Sequence, residues 1–109
     1  MRAKHKENFS DRVLRAALSI PQGRVSTYGR IARAAGGGAL SSQSITNILS
    51  KAQKNNPTIP FHRIVYSDGR IWINSKHYAR RMKLYKKEGI EIDSKNRIKN
   101  FNDILFEFE

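Results

Sequence analysis

Residues 55–69, Asn55-Asn56-Pro57-Thr58-Ile59-Pro60-Phe61-His62-Arg63-Ile64-Val65-Tyr66-Ser67-Asp68-Gly69, set one β-prone run between rigid turns. Asparagine side chains bond nearby backbone and proline fixes φ, so Asn55-Asn56-Pro57 reads as a turn. Pro60 stiffens the approach again. The run Ile64 to Tyr66 suits a short strand, closed by a turn at Asp68-Gly69. His62 and Arg63 are thereby held side by side, just behind the aromatic Phe61. On these residues alone, Ile59, Pro60 and Phe61 serve equally well as core residues leading into a strand.

Upstream, a helix begins at Ser41 or Ser42, uses Ile45, Ile48 and Leu49, and reaches Gln53. Before it, Ser26 or Thr27 caps a helix carrying Ile31, Ala32 and Ala35, which Gly36-Gly37-Gly38 terminates. A first helix, capped by Ser10 or Asp11, presents Val13, Leu14, Ala17 and Leu18, with Phe9 near its start, and stops at Pro21-Gln22-Gly23. Two short helices joined by a glycine-bearing turn suit a helix-turn-helix. Downstream, Arg63–Tyr66 and Arg70–Ile73 are expected to pair across Ser67-Asp68-Gly69 as a hairpin. A basic helix follows from Ser75 to Lys87, with Leu84 and with Tyr78, Met82 and Tyr85 at helical spacing, and Glu88-Gly89 stops it. The tail (Ile90, Ile92, Ile98, Phe101, Ile104, Leu105, Phe108) is apolar enough to pack back on the body. The expected fold is therefore α+β: a single small winged helix-turn-helix-like domain with a short β-hairpin wing, spanning 9–109 after a flexible basic N-terminus, 1–8.

At 109 residues, 39% hydrophobic and 28% charged, the chain suits one globular domain with a modest core. Its formal net charge of +12 points to a polyanionic partner. Residues 1–90 hold 18 basic and 4 acidic side chains, whereas residues 91–109 hold 3 and 5. The absence of cysteine excludes disulfides, thiolate metal sites and any thiol nucleophile. His5, His62 and His77 lack metal-ligand spacing, so neither metal nor cofactor is expected. No apolar run suits a secretion signal or a membrane span, and an intracellular monomer is expected, in the cytoplasm or nucleoid, or the nucleus of a eukaryote.

The motif Pro60-Phe61-His62-Arg63 resembles the Pro-Cys-His-Arg active site of the O6-alkylguanine-DNA alkyltransferases, with phenylalanine where those enzymes carry the alkyl-accepting cysteine. Ile20-Pro21-Gln22-Gly23-Arg24-Val25-Ser26-Thr27-Tyr28-Gly29-Arg30-Ile31-Ala32 is similar to the family's Ile-Pro-x-Gly-x-Val-x-Thr-Tyr-Gly-x-Ile-Ala. Asn56-Pro57, Ser67-Asp68-Gly69 and Glu88-Gly89 follow in the family's order, so the resemblance covers roughly residues 9–92. Replacement of the cysteine marks the alkyltransferase-like proteins, which bind alkylated DNA without repairing it.

The resemblance implies roles for individual residues. Tyr28, at the start of the second helix, would press on the phosphate beside a target nucleotide; the alternative is a tyrosine packed within the helix pair. His62 and Glu88 match the pair that activates the thiol, and without a thiol they would be structural. Asn56 would hold the hinge by side-chain-to-backbone bonds, and Arg63 would tether neighbouring segments or contact phosphate. The lesion pocket would be lined by Phe61, His62 and Ser75, with Asn74 in place of a tyrosine. The family's intercalating arginine falls on Gln43, or on Ser42 or Asn47 under a shifted alignment. None of the three is arginine, which puts normal base flipping in question.

Three functions follow for testing. The leading one is a non-catalytic protein that binds double-stranded DNA in the minor groove, rotates out an O6-alkylguanine and flags it to nucleotide excision repair proteins. The second is a winged-helix regulator or architectural protein without lesion specificity, favoured by the missing arginine. The third, a hydrolase built on His62 and Glu88, lacks a visible nucleophile.

Overall fold

The computed structural model describes residues 8–37, 42–73 and 75–108. Helix α1 spans Phe9–Leu18 and is opened by Asn8, not by Ser10 or Asp11. Asn8 Oδ1 accepts from the Asp11 N–H at 2.8 Å, and the Asp11 carboxylate accepts from the Asn8 N–H at 3.2 Å. This reciprocal pair satisfies two of the donors that a helix start leaves unpaired. Asn8 is therefore part of the fold rather than of a loose N-terminus; residues 1–7 lie outside the described residues. Val13, Ala16 and Ala17 form the buried face, while Leu18, expected on it, is 43% exposed.

Helix α2 (Tyr28–Ala34) is capped by Thr27, whose hydroxyl accepts from the Arg30 N–H. Gly36 and Gly37 close its last turn with bonds to the Arg33 and Ala32 carbonyls. Helix α3 (Ser42–Ala52) follows. The three helices enclose one core, in which Val13, Ala17, Ile31, Ala32, Ile45 and Leu49 are fully buried.

The expected hairpin does not form. Tyr66 N–H does reach the Arg70 carbonyl across the turn, at 3.0 Å. Beyond that bond the chain leaves: Arg70 pairs with Arg97, and Ile71 N–H donates to the Asn96 carbonyl at 2.9 Å. Strand β2 (Ile64–Val65) instead runs parallel to β1 (Ser26–Thr27), with Ser26 opposite Ile64 and Thr27 opposite Val65. Both residues of β2 are buried, the signature of a strand covered on both faces rather than of a solvated wing. Ile64 enters the helical core, and Val65 enters a second core with Val25, Ile71, Tyr85, Ile90 and Ile98.

Helix α4 runs Tyr78–Lys87, three residues shorter at its start than expected, and Glu88 is its C-cap. Gly89, at φ +74°, then sends the Ile90 N–H back to the Tyr85 carbonyl. That left-handed step suits glycine. Gly69 is held more tightly still: its φ is +87° and a Cβ there would lie 3.2 Å from the Phe101 ring. The tail turns through Asn100 into α5 (Phe101–Ile104) and returns to the body. Val25 N–H donates to the Ile104 carbonyl at 3.0 Å, and Phe106 N–H donates to the Val25 carbonyl at 2.7 Å. The segment through Val25 and β1 is thus paired on both edges. An α+β domain holds; its sheet is parallel and internal.

Candidate nucleic-acid interface

A cavity of about 410 Å³ opens beside Phe61 and His62, within the range of roughly 300–1,000 Å³ that suits a small ligand or a single base. Its walls come from three places: Ser50 and Gln53 at the end of α3, the segment Pro57 to Arg63, and Trp72 with His77, Arg80, Arg81 and Leu84. Phe61, Ile59 and Leu84 give it apolar surface. Phe61 begins a 3₁₀ turn, Phe61–Arg63, that Pro60 introduces, and its ring also packs on the helical core.

Behind Phe61 lies a buried polar knot. The Glu88 side chain is 2% exposed and lies 2.6 Å from His62 Nε2. Arg63 donates to the same carboxylate from Nη2 at 2.8 Å and from Nε at 3.1 and 3.2 Å, while its Nη1 donates to the Ile20 carbonyl at 2.9 Å. Gly23 N–H adds a further bond, at 2.9 Å. Burial alone would push the Glu88 carboxyl up, but the bonds from Arg63, Gly23 and His62 together hold it down at about 2. Burial lowers the basicity of His62 below the ordinary histidine value despite the bond to Glu88, so its imidazole is neutral at pH 7. With Glu88 ionised, Nε2 of that neutral ring carries the proton and donates it. The ring also meets Tyr85 edge-on, at 5.9 Å.

The structure brings together Phe61, His62, Arg63 and Glu88 as the motif implied. Arg63 tethers two segments, its guanidinium engaged by Glu88 and the Ile20 carbonyl. Asn56 makes the expected local bond, from Nδ2 to the Ala52 carbonyl at 3.1 Å, at the end of α3. Tyr28 heads α2 but is only 7% exposed. Its ring lies 5.5 Å from that of Tyr66, its hydroxyl bonds Thr46, and burial raises its pKa. The helix-pair alternative thus describes its ring. Gln43 and Asn47 are exposed one turn apart on α3, and the Gln43 amide donates to Asn47 Oδ1 at 3.4 Å. Ser42 begins α3 without a described side chain.

Ser75 is exposed and does not line the cavity, because residues 75–77 form a turn ahead of α4; Asn74 lies outside the described residues. Trp72 takes that wall. Arg81 stacks on it, guanidinium carbon 4.8 Å from the ring centre. Sequence reasoning passed over Trp72, Arg80 and Arg81, although Arg81 lies four residues before the buried Tyr85, one turn away on the same face of α4.

The family model for the 6-O-methylguanine DNA methyltransferase DNA-binding domain matches residues 8–90. The chain belongs to this family. Within it the chain is alkyltransferase-like, since Phe61 fills the cysteine position and the sequence contains no cysteine. A relative, the DNA base-flipping protein of Vibrio parahaemolyticus, is 30% identical over 95 residues, covering 84% of this chain and 90% of its own. The protein of the same description in Escherichia coli is 28% identical over 93 residues, 85% of this chain and 70% of its own. Among solved structures, S. pombe Atl1 in complex with damaged DNA containing O6-carboxymethylguanine superposes with a TM-score of 0.72 at 28% identity, covering 92% of this chain and 95% of that one. In the alkyltransferase-like chain itself, no described helix is long and apolar enough to cross a membrane, and no described group of three or more acidic or histidine side chains is placed to hold a metal.

Proposed function

We propose that this protein is a non-catalytic DNA-binding protein that recognises O6-alkylguanine by turning the nucleotide out of the duplex into the cavity beside Phe61. The reading is carried by one observation: an open, base-sized cavity whose wall bears phenylalanine where an alkyl acceptor would stand, with the His62–Glu88 pair intact behind it. Contact between the flipped base and Phe61 or Trp72 is worth ~1–3 kcal/mol per base, which offsets part of an unstacking cost of a few kcal/mol. The net charge of +12 supports a duplex partner, with α2 and α3 as the helix-turn-helix in the minor groove. A protein that holds a lesion and has no group to accept the alkyl must pass the lesion on. Nucleotide excision repair is the route consistent with that chemistry.

DNA binding without flipping is favoured by the exposed Gln43–Asn47 amide pair, since α3 carries no arginine to fill a vacated stack. Equilibrium titration with one duplex sequence, carrying O6-methylguanine or guanine, separates the two readings. Tighter binding to the lesion, with enhanced emission from a fluorescent base analogue opposite it, is the expected result. Equal affinity for both duplexes and an unchanged analogue signal would reject lesion recognition.

A further inference from the structure

Between Ser75 and Glu88 the chain holds six lysine and arginine residues and no aspartate or glutamate. Helix α4 takes up most of that stretch and divides it by face. Tyr85 is buried and Met82 packs on the same core, whereas Arg80, Lys83 and Lys87 lie exposed along one side, at spacings of three and four. Lys86 is exposed beside them. This arrangement works against the helix. Like charges three and four residues apart repel each other. Arg80 stands in the first turn, where the helix dipole disfavours a cation, with no acidic residue there and no side-chain cap to offset it. Arginines elsewhere on the surface pair with carboxylates, Arg30 with Glu107 and Arg70 with Asp68. None of the four α4 cations has an ion-pair partner among the described residues, and the carboxylate that ends the helix, Glu88, is buried and committed to Arg63 and His62. A face that only kept the protein soluble would mix both signs. One sign, held against local helix stability, marks a face that meets an anion.

The face starts at the cavity. Arg80 and Leu84 belong to the cavity wall, which Ser50 and Gln53 at the end of α3 also form. A nucleotide turned into this cavity leaves its neighbours on the same strand outside the mouth, alongside α4. From Arg80 to Lys87 is about 10 Å of helix, the axial rise of roughly three phosphates on one strand. We infer that the exposed face of α4 is a second DNA contact, apart from the α2–α3 helix-turn-helix, which holds backbone phosphates of the lesion-bearing strand beside the turned-out nucleotide. The inference rests on the lesion-recognition reading above and adds a surface and a strand to it. Lysine suits the task, since an ammonium on a flexible stem follows a phosphate as a point charge and reads no base. The face therefore raises affinity for lesion and guanine duplexes alike and leaves discrimination to the cavity.

The test compares the double variant Lys83→Gln, Lys87→Gln with Lys95→Gln, Lys99→Gln, which removes the same charge from exposed tail positions outside the cavity lining. Each protein is titrated across a range of salt with one duplex sequence bearing O6-methylguanine or guanine. The α4 variant should lower the log–log salt slope by roughly 1.8 on both duplexes, at about 0.9 per phosphate contact. The tail variant should leave the slope unchanged. Thermal unfolding of the α4 variant should come no lower than that of wild type, since it relieves repulsion on an exposed helix; lost binding is then not lost fold. Ethylation of single phosphates places the contact. Beside the lesion, on its own strand, it should weaken wild type and have little effect on the α4 variant. An unchanged slope in the α4 variant, with lesion preference kept in wild type, would overturn the inference and leave lesion recognition standing. An equal fall in both variants, or interference confined to the opposite strand, would overturn it too. Equal wild-type affinity for the two duplexes would reject lesion recognition and, with it, the placement beside a turned-out nucleotide.

Discussion

Three segments far apart in sequence meet at one carboxylate: Gly23 after α1, His62 and Arg63 beside β2, and Glu88 itself at the end of α4. Removing a buried charge partner leaves the others uncompensated, so Glu88→Gln should cost about 3–5 kcal/mol in urea unfolding. The pH dependence has a definite sign. Glu88 has a folded pKa of about 2 against an ordinary 4.5, so its contribution is complete above pH 4.5 and is lost as pH falls toward 2. His62, held below its ordinary 6.5, acts in the same direction: the unfolded chain takes up that proton first, and stability starts to fall below pH 6.5. In Glu88→Gln the loss below pH 4.5 should shrink; an unchanged acid limb would mean that other carboxylates set it. Tyr28 calls for a gentle substitution. Tyr28→Ala should open a core cavity costing about 3–5 kcal/mol, whereas Tyr28→Phe removes only the bond to Thr46, about 1 kcal/mol, and any loss of DNA affinity in it belongs to the hydroxyl. Phe61 cannot accept an alkyl group, since displacement at carbon needs an ionisable nucleophile. Intact mass after incubation with O6-methylguanine DNA should therefore show no adduct; a stoichiometric gain would overturn that reading. The residues carried by a motif were legible in the sequence. Arg81 and Trp72 were not, because their contact depends on where the chain goes after Ile71.

At the scale of elements, helices were legible wherever a cap or a glycine stop announced them, as at Thr27 and Gly89. Asn8 was missed because the Asn-x-x-Asp box was overlooked in favour of Ser10. The strands were misread for a different reason. Two buried residues have no alternation to display, and a parallel partner 38 positions away leaves no local trace. Helix α3 now offers a direct experiment, since its amide pair, Gln43 and Asn47, occupies two of the three positions between which the alignment could not choose. Gln43→Arg should supply a planar cation long enough to fill a vacated base stack. The added charge strengthens binding to any DNA, so the informative quantity is the ratio of affinities for O6-methylguanine and guanine duplexes at two salt concentrations. That ratio should rise severalfold and survive added salt, because stacking is screened less than phosphate attraction. Asn47→Arg is the comparison, and a selective gain there alone would place the insertion point one turn further along.

Across the whole molecule, charge sets affinity and topology sets order of assembly. Binding should weaken with salt at a log–log slope of about 0.9 per phosphate neutralised; a flat dependence would deny the basic body its role. The acidic tail moderates that field locally, with Glu107 Oε1 2.9 Å from Arg30 Nε on α2, an exposed pair that salt screens. Its backbone matters more. Arg24 donates to the Ile104 and Leu105 carbonyls at 3.0 Å each, and Ser26 Oγ to the Phe106 carbonyl at 3.1 Å. Residues 104–106 are synthesised long after Val25, so during translation the outer edge of Val25 has no strand to meet. The nascent chain can close the three-helix core first, by local contacts, and must wait for the tail before the segment leading into α2 is fastened on both sides. The ribosome therefore releases a protein in which residues 24–26, just ahead of the Tyr28-bearing helix, are the last to be fastened on their outer side.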